Sequence, residues 1–288
     1  MQIVDCETLR RVTQGSGLVV LAATEGEAEP IRVALQGPDK HHLATKTLYV
    51  GEAGGPLEGE QSAPRKAGPK VVLAVSGCDK VNAAHVLTSL LQAMSPPPRL
   101  VLQLGIAGAL PGVGGAPSAQ VGDLVVATRE TYSDTGTTTP NGWASAQELG
   151  LPMAQVEGVE LGGSFPLDQE RVQWAMQVIG RVDWQRTRTE GAPPALLAAP
   201  CVTSSRITGR DEEAQAVAQR WQALAESMEG AAAAHICALY GVPFLEIRGI
   251  SNMAGDRDRA AWAVDRAVEV AGLAALAVVE ALGAEDEA

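Results

Sequence analysis

Three short segments hold the residues whose types and spacing could do chemistry. In Leu18-Val-Val-Leu-Ala-Ala-Thr-Glu-Gly-Glu27 an apolar run ends in two closely spaced carboxylates, Glu25 and Glu27. Ligands of α/β sheets gather at the carboxyl ends of strands. On spacing alone a solvated acidic turn is the commoner explanation. In Ser227-Met-Glu-Gly-Ala-Ala-Ala-Ala-His-Ile-Cys237, Glu229 opens an otherwise apolar helix. A helix N-terminus favours an ionised carboxylate, which can accept hydrogen bonds from the paired hydroxyls of a ribose; many helices start with an acid that binds nothing. The third segment, Val242 to Arg259, is a hydrophobic strand that runs out through Ser251 and Asn252 into a turn holding Arg257 and Arg259. An amide at a strand end offers a donor and an acceptor to the edge of a heterocycle, although Asn is also ordinary turn chemistry. The Asp-Arg-Asp-Arg run reads by itself as a solvated, self-paired cluster.

Other chemistries lack their residues. The chain has no H-E-x-x-H, no G-x-S-x-G and no Walker loop. Gly112-Val-Gly114 begins like a dinucleotide loop but lacks the third glycine. The four histidines show no ligand spacing, and His85 and His235 fall inside helical stretches. No metal and no cofactor are therefore expected. Cys6, Cys78, Cys201 and Cys237 form no C-x-x-C pair, which points to a reducing compartment.

The elements that must position these residues alternate in type. Short β-branched runs predict strands at Leu18–Thr24, Thr47–Val50, Lys70–Ser76, Arg99–Ile106, Val121–Thr128, Cys201–Thr208 and Val242–Ile250. Helical spacing predicts helices at Val81–Met94, capped by Asp79, and at Pro166–Arg181, Gly209–Glu226, Gly230–Tyr240 and Arg259–Leu282. Thr208 and Asp211 resemble a capping pair. Gly51–Pro69, Pro111–Gln120 and Pro140–Phe165 read as loops, with 51–69 flexible and 284–288 an acidic tail. No loop separates two self-sufficient blocks, so residues 1–288 are expected to form a single α/β domain.

Composition narrows the partners. The 288 residues carry 22 basic and 34 acidic side chains, a net charge of −12 that repels nucleic acid and anionic membranes. Only 3% are aromatic, which leaves few platforms for stacking single strands. Asp5 and Glu7 precede the first apolar run, and the late run Val270–Val279 is short against the roughly 20 residues that span a bilayer. A cytoplasmic protein acting on a small molecule is expected.

Taken in order, these segments resemble the nucleoside phosphorylase and nucleosidase superfamily, close to the methylthioadenosine/S-adenosylhomocysteine nucleosidases. Val75-Ser-Gly-Cys-Asp-Lys-Val-Asn-Ala-Ala84 resembles their Gly-x-Gly-Lys-Val-Asn-Ala segment. Leu104-Gly-Ile-Ala-Gly108 is similar to T-G-x-A-G, and Val121-Gly-Asp-Leu-Val-Val126 to V-G-D-x-V-V. Ser227-Met-Glu-Gly-Ala-Ala is similar to E-M-E-G-A-A, and Arg248-Gly-Ile-Ser-Asn252 to R-x-I-S-D. The resemblance implies a three-layer sandwich with a central mixed, twisted sheet flanked by helices, and a homodimer or higher homo-oligomer. It implies that Glu27 activates water and that Glu229 binds the ribose hydroxyls, with Met228 packed on the sugar. Ile106, Ala107 and Gly108 would line the pocket near base and ribose, next to Ser251 and Asn252. The reaction implied is cleavage of an N-glycosidic bond through an oxocarbenium-like transition state. Phosphorolysis, the superfamily's other chemistry, needs an arginine-bearing phosphate site; residues 24–30 contain none, and Glu27 would repel the anion.

Asn252 departs from the aspartate of the adenine-specific enzymes. A carboxyl group suits adenine, which offers a 6-amino donor and an N7 acceptor. An amide NH2 suits a 6-oxopurine, whose O6 and N7 both accept. With the Ser-Asn-Met-Ala-Gly-Asp-Arg-Asp-Arg-Ala-Ala-Trp262 continuation, the chain resembles the futalosine hydrolase branch, which releases hypoxanthine from futalosine on a menaquinone route. The substrate's benzoate calls for a cation, for which Arg206, Arg257 and Arg259 are the candidates. Val202-Thr-Ser-Ser-Arg-Ile-Thr208 lacks the family's base-stacking aromatic, which leaves the stacking partner open. The alternatives are an adenine-releasing nucleosidase and a non-catalytic nucleoside-binding protein.

Overall fold

The computed structural model describes residues 5–54, 68–114, 118–255 and 258–285. In chain order the elements are α1 (Cys6–Thr13), β1 (Leu18–Ala22), α2 (Glu25–Ala34), β2 (Leu35–Leu43), β3 (Lys46–Ala53), β4 (Lys70–Val75), α3 (Lys80–Ala93), β5 (Leu100–Ala109) and β6 (Leu124–Tyr132). Five short strands follow: β7 (Gly136–Thr139), β8 (Gly142–Ser145), β9 (Ala154–Val156), β10 (Val159–Leu161) and β11 (Ser164–Pro166). The rest are α4 (Gln169–Ile179), β12 (Leu196–Thr203), α5 (Asp211–Trp221), β13 (Ala225–Ser227), α6 (Gly230–Tyr240), β14 (Phe244–Met253) and α7 (Val264–Glu285).

The fold is α/β with three layers. β1 lies between β4 and β5, parallel to both, with Leu18 opposite Val71 and Leu100. All five β1 side chains are buried, because a strand covered on both faces needs a continuous apolar run. Fully burying each Val or Leu contributes about 1.5–3 kcal/mol. The sheet runs β11-β6-β12-β13-β5-β1-β4-β3-β2, and β14 bridges β5 and β6. Strands β5, β13, β12, β6 and β14 thereby close into a ring at one end, so the mixed sheet is part open and part barrel. Helices α2, α4 and α7 pack together on one side, and α1, α3 and α6 form a second group.

Several expected boundaries move for identifiable reasons. The acidic turn after β1 is the first turn of α2: Thr24 and Glu27 form a reciprocal capping box that starts a helix there. The predicted helix Gly209–Glu226 stops at Trp221, where Gln222 turns left-handed at φ 50°, and Glu226 belongs to β13. Thr208 does not cap α5; its N–H and hydroxyl both donate to Glu226, at 2.8 and 2.6 Å. β12 starts at Leu196, earlier than expected, and absorbs Pro200 at an irregularity in its register. The 140–165 stretch holds β8 to β11 rather than being all loop. Gly51 to Ala53 belong to β3, residues 55–67 lie outside the described residues, and 284–285 extend α7 with the acidic remainder also outside.

α7 is long and apolar enough to cross a membrane, against the expectation from its short apolar run. It nevertheless packs on β14, β5, α2 and α4. Close approach depends on two glycines: a Cβ on Gly249 would strike the Ala267 carbonyl oxygen, and one on Gly272 would strike Pro30. Gly249→Ala is expected to lower stability by about 1–3 kcal/mol, read as a lower denaturation midpoint with an unchanged m-value.

Candidate active site

The residues singled out in the sequence converge at the ends of β1, β4, β5 and β14 and at the start of α6. Glu27 is buried and its carboxylate accepts three hydrogen bonds, one of them the capping-box bond of α2. Its Oε2 takes the Thr24 N–H at 3.0 Å and the Thr24 hydroxyl at 2.9 Å, and its Oε1 takes the Ile106 N–H at 3.0 Å. The capping box therefore fixes the carboxylate while Ile106 turns one oxygen toward β5. Glu25 is exposed and accepts from the Tyr49 hydroxyl, so it does not share this position.

Glu229 is held from two sides. Its Oε1 accepts the Asp79 N–H at 3.0 Å, and its Oε2 lies 3.4 Å from both Nη1 and Nη2 of Arg248. Burial pushes Glu229 above the usual carboxylate range, against the pull of Arg248 and the Asp79 N–H. Asp79 presents that N–H from φ 84° and ψ 155°, a conformation that favours glycine. It stands where the resembling motif has its second glycine. Its carboxylate accepts from the Lys80 N–H at 2.7 Å, capping α3 as expected, and from the Ser205 hydroxyl at 2.5 Å. Lys80 pairs with Asp134 at 2.6 Å, which brings a cation to this end of the site.

Arg248 links these groups, and the sequence reading gave it no role. Its side chain is 1% exposed; Nε donates to Glu246 at 2.6 Å and Nη1 to the Ile106 carbonyl at 3.3 Å. Burial works against its charge, but Glu246, Glu229 and Glu27 outweigh that and raise its pKa. Arg248 lies opposite Gly105 in the sheet. A Cβ at Gly105 would stand 2.5 Å from Arg248 Nη1 and 2.7 Å from Glu27 Oε1, so the glycine leaves space between a cation and a carboxylate. Such a space can hold a small polar nucleophile. The signal for Arg248 was in the sequence: Glu246 and Arg248, two apart in an apolar strand, must face the same side and pair.

The base end is set by a bulge. The register of β14 against β5 shifts between Ile250 and Asn252, and Asn252 comes opposite Gly108. Buried Ser251 donates to Asn252 Oδ1 at 2.7 Å and reaches the Ala107 carbonyl at 3.3 Å; Asn252 Nδ2 donates to the Met253 carbonyl at 2.8 Å. The amide nitrogen has a second hydrogen with which to meet a ligand. A Cβ on Gly108 would lie 3.4 Å from that nitrogen. Ile106, Ala107 and Gly108 thus join Glu27 to Asn252 along one strand, and half-buried Met228 precedes Glu229.

Arg206 is 81% exposed and pairs with Glu213 on α5 at 2.8 Å, Arg259 lies 6.0 Å over the Trp262 ring, and Arg257 lies outside the described residues. Among the described residues no three His, Cys, Asp or Glu side chains converge as metal ligands.

The chain resembles known proteins over most of its length. A futalosine hydrolase from Thermus thermophilus is 34% identical over 193 residues, 67% of this chain and 74% of that protein. A 5'-methylthioadenosine/S-adenosylhomocysteine nucleosidase from Actinobacillus succinogenes is 30% identical over 237 residues, 82% of this chain and 85% of that one. Among solved structures, the corresponding nucleosidase of Neisseria meningitidis, in complex with methylthio-immucillin-A, superposes with a TM-score of 0.70. It is 24% identical and the match covers 92% of this chain and 98% of that one, which bears on the fold alone. Residues 18–283 match the phosphorylase superfamily as a whole. A match that runs from the start of β1 into the last turns of α7 makes this chain a member of the phosphorylase superfamily.

Proposed function

We propose that the protein is an N-ribosyl hydrolase that releases hypoxanthine from futalosine, leaving dehypoxanthinylfutalosine on the route to menaquinone. One relative above is by name a futalosine hydrolase and the other a nucleosidase, which supports hydrolysis of an N-glycosidic bond. In this reading Glu27 takes the proton of the attacking water in the space beside Gly105, facing Arg248. Glu229 accepts from the ribose hydroxyls and stabilises the oxocarbenium charge as the C–N bond breaks. Asn252 donates to O6 or N7 of the departing base. Met228 and Ile106 to Gly108 wall the pocket, and Ser251 aims the amide. The protein would act in the cytoplasm as a homodimer or larger homo-oligomer, with its four cysteines free.

The observation that carries the 6-oxopurine is the amide at Asn252, seated by the bulge and held through Oδ1 by Ser251. A carboxylate there would face O6 with like polarity, whereas the amide donates. Asn252→Asp is expected to shift the ratio of hypoxanthine to adenine release by about tenfold or more toward adenine. An unchanged ratio on paired inosine-type and adenosine-type substrates would refute this role. The second reading is an adenine-releasing nucleosidase, favoured by the longer span of the methylthioadenosine/S-adenosylhomocysteine relative.

A further inference from the structure

Beneath the site lie two buried carboxyl groups that the reaction above does not use. Glu130, on β6, and Glu246, on β14, are both 0% exposed. Glu246 Oε1 accepts from Arg248 Nε at 2.6 Å, and Glu130 Oε2 accepts from the Thr203 hydroxyl at 2.8 Å. That hydroxyl in turn accepts the Ala231 N–H at 2.8 Å, tying the pair to the first turn of α6. The remaining oxygens, Glu130 Oε1 and Glu246 Oε2, are buried with no other partner among the described residues, and they meet beside Gly230, where a Cβ would collide with both.

We propose that Glu130 and Glu246 form a positioning pair, in which Glu130 donates a hydrogen bond to Glu246 and so fixes the Arg248 guanidinium against Glu229. Two carboxylates cannot meet in a dry interior with both charged. One proton between them satisfies both orphaned oxygens and leaves a single negative charge for Arg248. Burial, and then Glu246, push Glu130 well above the usual carboxylate range, so it is the proton's holder. The groups facing the pair are Arg248 on the same strand as Glu246, Glu229 at the start of α6, Tyr132 farther along β6, and Cys201 opposite Glu130 on β12. Burial and the two carboxylates push the Cys201 thiol up, so it adds no charge. Glu27 reaches the pair through Arg248.

This proposal rests on the nucleosidase reading for its kinetic consequence but not for its protonation state, and the test separates the two. The wild-type chain and its Glu130→Gln, Glu130→Leu and Glu246→Gln variants are compared. An amide at position 130 can still donate to Glu246, whereas leucine cannot. Glu130→Leu and Glu246→Gln are expected to lose about tenfold to a hundredfold in kcat with little change in KM. Glu130→Gln is expected to recover most of what leucine loses. Glu246→Gln removes a negative neighbour that raises Glu229, so its acid limb of kcat/KM is expected to move to lower pH. Without substrate, wild type is expected to show an infrared carboxylic-acid band at neutral pH that Glu130→Gln removes. A folded Glu130 holds its proton where the unfolded one has released it, so the contribution of Glu130 to stability falls as pH rises above about 4.5. Glu130→Gln removes that slope, and its Tm is expected to gain on wild type between pH 5 and pH 8. A missing band would overturn the proposal, as would a folded Glu130→Leu enzyme with wild-type kcat. A wild type inactive on every nucleoside would defeat the functional reading, and the infrared band would still decide the pair.

Discussion

Glu27→Gln is expected to cut turnover by about 10²–10⁴-fold while substrate binding stays measurable by calorimetry. The amide has almost the shape of the carboxyl group and still serves in a capping box, so α2 should form. The change is felt in the hydrogen bonds. Glu27 now accepts from Thr24 on one oxygen and from Ile106 on the other. Glutamine has one oxygen, so its NH2 must face one of those backbone N–H groups, at about 1–3 kcal/mol in stability. That cost is read separately by unfolding and leaves the catalytic loss to the missing proton acceptor. An enzyme fully active with glutamine at 27 would refute Glu27 as the base. Glu25 could not simply replace it, because its carboxylate is exposed and turned to Tyr49.

The second large effect belongs to Glu229. Glu229→Gln is expected to lower kcat about 10²–10³-fold, because the charge that supports the oxocarbenium ion is gone. Glutamine can still accept the Asp79 N–H on one side, but its NH2 then faces Arg248. Breaking a buried ion pair from one partner costs about 3–5 kcal/mol, so a lower Tm should accompany the kinetic loss. The pH profile gives an independent sign. Burial raises Glu229, so in the wild type the acid limb of kcat/KM should lie above the usual carboxylate range. Activity is then lost as pH falls through that raised value, and the limb assigned to Glu229 should vanish from the residual activity of the variant. A variant with wild-type kcat and an unmoved limb would exclude Glu229 from the reaction.

How far the sequence could be read follows from what each signal depends on. β1, β4, β5 and β14 were legible because their short apolar runs are what strands covered on both faces require. α6 was legible to the residue, its apolar sequence bounded by Glu229 and Gly241. The start of α2 was written in Thr24 and Glu27, but a capping box and an acidic turn share the same letters until the helix is seen. β13 was hidden because its three residues lie just past the turn that ends α5 and gain their strand geometry from β5 and β12. Glu27, Glu229 and Asn252 are each set at an element's end, where sequence marks position. The spacing of Glu246 and Arg248 marks them as a pair, but the placement of that pair beside Glu130 depends on strands distant in the chain. Asp79 gave its cap in sequence and kept its left-handed backbone hidden, since aspartate does not announce a positive φ.

The central claim is the identity of the leaving base, and one assay addresses it. Purified protein is incubated separately with futalosine and with methylthioadenosine, and the free purine is identified chromatographically. Release of hypoxanthine from futalosine, with far slower release of adenine from methylthioadenosine, is the predicted result. Rapid release of adenine with no hypoxanthine would contradict it.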